Sequence, residues 1–168
     1  MNSKTALIRR ASLSAIVGNA LLALIKIITG ISASSLAVIG DGIDSSTDVV
    51  IALMTLLVAG IIARPADKEH PWGHGRAETI ATSILSFLLF FAGAQLVFSS
   101  LRMLLSGAER NLPGMPALIV TGVSILGKLL LAFNQYYYGR KAASPMIIAN
   151  AKNMAFDVCI SAAVLLGL

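Results

Sequence analysis

The stretch SLAVIGDGIDSSTDVVIALMTLLVAG, residues 35–60, decides the fold. It is long and apolar enough to cross a bilayer as a helix, yet it holds three aspartates, Asp41, Asp44 and Asp48. They run i, i+3, i+7, so they share one helical face. The last apolar stretch, PMIIANAKNMAFDVCISAAVLLGL at 145–168, repeats the pattern with Asn150, Asn153 and Asp157. A carboxylate at bilayer depth costs roughly 2.5 kcal/mol or more. Aspartates at 41, 44, 48 and 157 therefore call for a compensating partner. The simplest partner is a divalent cation, held between two helices by oxygen ligands.

The rest of the chain fits this setting. Hydrophobic residues make up 57% of it and charged residues 12%, too few to clothe a soluble domain. The mean hydropathy is +0.84. A hydrocarbon core about 30 Å thick needs about 20 mainly apolar residues per helix. The sequence predicts an all-α integral membrane bundle of five transmembrane helices, at about 12–31, 36–63, 78–105, 117–138 and 145–168. The connections are GISASS, RPADKEHPWGHGRAE, SGAERNLPGMP and GRKAASP.

Lysine and arginine set the orientation. Lys4, Arg9 and Arg10 precede the first helix, Arg64, Lys68 and Arg76 follow the second, and Arg140 and Lys141 follow the fourth. The opposite side has only Arg102 and Arg110. The N terminus and the histidine-bearing connection are thus expected in the cytoplasm. Trp72 and Tyr136 to Tyr138 suit the interface. The net charge of +5 reads as topology, with no nucleic-acid partner. The single cysteine, Cys159, excludes an internal disulfide and a multi-cysteine zinc site, and it reads as packing. The chain is multi-pass, and the expected location is the plasma (inner) membrane of a prokaryote.

Asp44 and Asp48 sit one turn apart, as do Asn153 and Asp157. Packed face to face they would offer a tetrahedral oxygen site near the bilayer midplane. The alternative is polar glue between helices, for which Ser, Thr and Asn are the usual residues. Asp41 is an accessory candidate: an extra ligand, a proton acceptor, or a wet residue at a cavity mouth. Asn150 is its counterpart. Asp67, His70 and His74 also run i, i+3, i+7, and a carboxylate with two imidazoles suits zinc or a similar ion. Two solvated histidines in a polar turn fit the same residues. Lys26 is expected to snorkel to an interface. Lys128, near the middle of its helix, is expected to face the bundle or water. Either lysine could pair with a site carboxylate, though structural roles are favoured. Glu78 opens a helix, where an acid favours the dipole. No enzyme is expected: HPWGH lacks the arrangement that sets a base beside zinc in HExxH, and no Ser–His pairing is evident.

With these residues in hand, the chain resembles the cation diffusion facilitators, a family of divalent-metal/proton antiporters. SLAVIGDGIDSSTD resembles the metal motif of the family's second helix, HPWGHGRAE its HP-x-GH-x-R/K-x-E signature, and NAKNMAFD its fifth-helix motif. The resemblance implies proton-coupled efflux of a divalent transition metal by alternating access. The metal (Zn2+, Mn2+ or Fe2+) is the substrate and H+ the coupling ion. It makes Asp44, Asp48 and Asp157 ligands of the transport site, with Asn153 where relatives commonly carry His or Asp. It makes Asp67, His70 and His74 a secondary cytosolic-side metal site found in some members. Asn153 turns the transport site all-oxygen, which moves it away from zinc and toward Mn2+ or Fe2+. The family has six membrane helices and usually a cytosolic C-terminal domain that forms a homodimer. The chain is therefore expected to be a truncated form ending at Leu168. A passive cation channel and a non-transporting partner subunit are the alternatives.

Overall fold

A computed structural model describes residues 3–33, 35–68, 70–105 and 114–166. They form five α-helices in chain order: α1 Ser3–Ser32, α2 Leu36–Ile62, α3 Arg76–Leu105, α4 Met115–Ala142 and α5 Pro145–Leu166. No strand occurs among the described residues. The connection at 106–113, with Arg110, and the terminal residues 167–168 lie outside the described residues.

Helix starts and stops follow local chemistry. Ser35 caps α2, its side chain accepting from the Val38 N–H. Glu78 lies in the first turn of α3 and Arg140 and Lys141 in the last turn of α4, each sign matched to the helix dipole. Ala143 follows α4 in the left-handed conformation at φ 48°, and its N–H donates to Arg140 O. Ser144 Oγ then accepts from the Ile147 N–H as α5 begins at Pro145. Two ends lie beyond the apolar stretches. α1 starts at Ser3 and α4 continues to Ala142, because Lys, Arg, Leu and Ala propagate a helix as well in water as in lipid.

Four helices, α1 to α4, hold segments long and apolar enough to cross a membrane. α5, which carries Lys152 and Asp157, completes the bundle. The apolar residues point outward. Leu21, Leu24 and Ile28 of α1, Phe87, Phe90 and Phe91 of α3, and Leu126, Leu130 and Phe133 of α4 are all exposed. In water such a surface would aggregate; in a bilayer it is the lipid-facing side.

The interior is correspondingly polar: Asn19, Lys26, Ser45, Asp48, Thr55, Ser124, Lys128, Gln135 and Asn150 are all buried. Many of these groups bond locally or across helices. Ser45 and Ser46 donate to the carbonyls of Asp41 and Gly42 one turn back. Ser14 Oγ on α1 donates to Asn134 Oδ1 on α4 at 2.9 Å, and Gln135 Nε2 donates to Ala11 O at 2.6 Å.

α1 packs mainly on α2 and α4, α4 on α5, and α3 on α2 and α5, while α2 and α5 meet in a small contact. Glycine permits the closest approach of α1 to α2: a Cβ on Gly30 would stand 2.8 Å from the Ile39 backbone nitrogen. Apolar packing concentrates at one end of the bundle. Ile8, Ala11, Ala59, Ala142 and Ile147 form one cluster there; Ile51, Val58, Ala81, Leu85 and Met146 form another along α2, α3 and α5. Asp48, Lys128 and Asp157 lie farther along their helices, away from the helix ends.

Candidate metal centre

The face spacing read from the sequence does bring α2 and α5 carboxylates together. One oxygen each of Asp44, Asp48 and Asp157 falls within a group whose members lie within 4.8 Å of one another. The three differ in exposure. The Asp48 side chain is 3% exposed, Asp157 20% and Asp44 53%, so the group is closed at Asp48 and open at Asp44.

The compensating partner expected there was a divalent cation; what the fold itself supplies is an amine. Lys128 reaches in from α4, its side chain 3% exposed. Its Nζ donates to Asp157 Oδ2 at 3.0 Å and to Asp44 Oδ2 at 3.1 Å. Asp48 Oδ2 also lies 3.1 Å from Nζ, but outside hydrogen-bond geometry, and this buried oxygen is left without a donor. The helices that bear the acids touch little; the α4 lysine bridges them. A structural role alone understates Lys128, which stands at the centre of the constellation. A lone lysine in an apolar helix does not reveal which neighbours it meets. The sequence does carry one clue: buried acids on two helices need a counter-charge, and Lys128 is mid-helix.

Lys26 repeats the arrangement on α1. The expectation of snorkelling is corrected: Lys26 is 1% exposed and turned inward. Its Nζ lies 2.9 Å from Asp41 Oδ2 and donates to Ser45 Oγ at 3.1 Å. Asp41 is thus the partner of Lys26 and stands outside the three-carboxylate group. Asn150 is buried, and its Oδ1 has no hydrogen-bond partner. Asn153 is half-buried, one turn before Asp157. Cys159 is exposed, which corrects its reading as an interior packing residue.

Asp67, His70 and His74 also come together, though the described residues between 64 and 75 form bends and turns and no helix. The His70 N–H donates to Asp67 Oδ1 at 2.6 Å, closing the turn, and Gly73 at φ 75° redirects the chain. His70 Nδ1 then lies 3.1 Å from Asp67 Oδ1 and His74 Nε2 3.6 Å from Asp67 Oδ2. The two rings are 4.6 Å apart between centroids. The backbone bond to His70 holds the Asp67 carboxyl below its ordinary value. HPWGHG is rich in turn formers, and turn chemistry rather than helical spacing delivers the convergence. Glu78 closes on the N-terminal segment, accepting from Lys4 Nζ at 2.6 Å.

Comparison with known proteins follows the same lines. A family model described as the cation efflux transmembrane domain matches residues 12–168. The manganese efflux system protein MneP of Bacillus subtilis is 32% identical over 159 residues, covering 95% of this chain and 53% of that protein. The magnetosome protein MamB of a Magnetospira strain is 34% identical over 143 residues, 85% of this chain and 48% of MamB. The cation-efflux pump FieF of Citrobacter koseri is 30% identical over 162 residues, 96% of this chain and 54% of the pump. The chain spans about half the length of these relatives.

Proposed function

The chain belongs to the cation efflux family, and on that premise we propose that it carries the ion pathway of a proton-coupled divalent-metal exporter. Asp44, Asp48 and Asp157 are its ligands, with Asn153 as the fourth. The convergence of three carboxylates from α2 and α5 is the observation that carries this reading. The burial of Asp48 supports it, since its Oδ2 meets Lys128 as an ion pair outside hydrogen-bond geometry and keeps a lone pair for a ligated ion. Polar glue would not leave three acids together around one lysine in an apolar slab.

The carried ion is Mn2+ in preference to Zn2+, with Fe2+ next. An all-oxygen set of carboxylates and an amide suits the harder ions, whereas zinc is favoured by imidazole and thiolate. The manganese efflux system protein MneP supports the same choice. No enzymatic reaction is assigned to the site.

In the proposed cycle the ion reaches the cluster from the cytoplasm and displaces protons from the carboxylates. The helices then rock to open the site outward, and external protons compete the ion away. Neutral carboxyls avoid most of the penalty of unpaired charge in low dielectric, so the return step is cheap. Alternating access about a buried site is the general logic of secondary transporters. The basic residues of the N terminus and of the 64–78 connection support a cytoplasmic position for both, in a prokaryotic plasma membrane. Asp67, His70 and His74 form a second ion-binding group on that side. A homodimer belongs to the proposal for the full-length protein.

The test is metal flux into proteoliposomes under an imposed pH gradient, with Mn2+, Zn2+ and Fe2+ in turn. Flux should follow the proton gradient and be fastest for Mn2+. Flux that ignores the proton gradient would instead mark a passive pore, and no flux with any ion would leave a partner subunit.

A further inference from the structure

The cycle above gives Lys128 no task, yet this ammonium sits inside the carboxylate group. Its Nζ lies 3.0 to 3.1 Å from the Oδ2 atoms of Asp44, Asp48 and Asp157. A transition-metal ion bound by carboxylates sits about 2.0–2.2 Å from its oxygens. An ion drawing on these same oxygens would stand closer to Nζ than two cations can share in a region of low dielectric. The lysine is buried, so water screens the encounter only from the open side at Asp44.

We propose that Lys128 is a tethered counter-ion that competes with the cargo. The ammonium and the metal occupy the three-carboxylate group alternately, and each arrival displaces the other. This rests on the assignment of Asp44, Asp48 and Asp157 as the transport ligands. Lys128 thereby sets affinity from inside the site. It weakens binding enough for release, and it keeps the buried acids partly neutralised when the ion has left. Two properties favour lysine for this: a flexible four-carbon stem that lets the charge withdraw, and a compact point charge that returns to the same place. The open side of the group at Asp44, whose side chain is 53% exposed, gives the ammonium room to move.

The opposite role, in which Lys128 balances charge while the metal is bound, makes the opposite prediction, so the sign of one measurement decides. Mn2+ binding to the detergent-solubilised chain is measured by calorimetry. A His70→Ala/His74→Ala background removes the contribution of the connection. Lys128→Met should tighten Mn2+ binding by about tenfold or more, since the binding-competent state no longer has to be freed of a competitor. Efflux should slow at the same time, because the emptied acids have lost their counter-charge. An unchanged or weakened affinity would overturn the proposal. Should Lys128→Met fail to fold, Lys128→Arg carries the test. A bulkier, permanently charged fork grips the carboxylates bidentately, so Mn2+ should bind severalfold more weakly. Equal or tighter binding by Lys128→Arg would count against competition. Asp157→Asn separates the two failures. Its loss of Mn2+ binding beside an unaltered Lys128→Met overturns the competition alone, whereas full binding by Asp157→Asn overturns the ligand assignment on which it rests.

Discussion

Two triads of candidate ligands occur among the described residues of this chain, and they are built in opposite ways. Asp44, Asp48 and Asp157 come from two helices that barely touch, are drawn together over a long range, and enclose a buried ammonium. Asp67, His70 and His74 come from one short run of turns, with Asp67 and His70 half-exposed and no added cation among them. The first arrangement stores unfavourable electrostatics at its closed end: Asp48 and the Lys128 ammonium are held where water hardly reaches them, and a change of partner there has large consequences. The second is assembled by a backbone N–H and a glycine, and water already does most of the solvating. A group of the first kind suits a transported ion, which must be gripped and let go. A group of the second kind suits an ion that reinforces a loop or gathers near an entrance.

The largest effect should therefore come from removing a buried acid. Asp48→Ala and Asp157→Ala are each expected to abolish metal-driven proton movement in vesicles. Normal transport by both would erase the distinction drawn here. Because Lys128 would lose a partner, Asp48→Asn and Asp157→Asn should accompany them, with folding checked by size-exclusion chromatography.

Next in size is selectivity. Asn153→His restores a nitrogen donor one turn from Asp157 and should move preference from Mn2+ toward Zn2+ by about tenfold in a competition assay. An unmoved profile would remove Asn153 from the ligand set.

A smaller effect is expected in the connection. His70→Ala or His74→Ala should lower transport a few-fold at most while removing one bound ion per chain. A complete loss of transport would make the two triads functionally equal. The smallest effect concerns Asp67 alone. Its carboxyl is held below the ordinary 3.8, first by the His70 N–H, so the folded turn favours the charged form. The turn's stabilisation is then present above the ordinary value and lost as pH falls through the lowered one. An NMR titration should place the Asp67 midpoint below 3.8, and a midpoint above that would mean the turn does not form in solution.

What the sequence reveals divides along the same line. The five helices follow from apolar length, and α2 begins at Leu36 as read, because Ser35 is a cap that local chemistry specifies. The acid face of α2 is legible because helical geometry alone aligns Asp44 with Asp48. The meeting of α2 with α5 is legible only through the repeated pattern. Lys128 is a different matter. Which way a lysine in the middle of a helix faces depends on how that helix is rotated against its neighbours, and this is set by contacts such as Ser14–Asn134 and Gly127 against Leu22. Lys26 left two readings open for the same reason: a long stem reaches an interface as readily as a buried aspartate, and the fold takes the aspartate. In the connection the turn formers of HPWGHG are visible in the sequence, while the i, i+3, i+7 spacing there only coincides with helical spacing.

The brevity of two turns has a mechanical corollary. Only residues 33–35 separate α1 from α2, and only 143–144 separate α4 from α5. Were the proposed cycle to move the hairpins as units, the acids of α2 would go with one, and Lys128 and Asp157 together with the other. Shear along the seam between the hairpins by one helical pitch, about 5.4 Å, would strip Asp44 and Asp48 from Asp157 while leaving Lys128 beside it. Coordination number would then be a function of sliding distance, so the bundle would work as a vernier that counts oxygens.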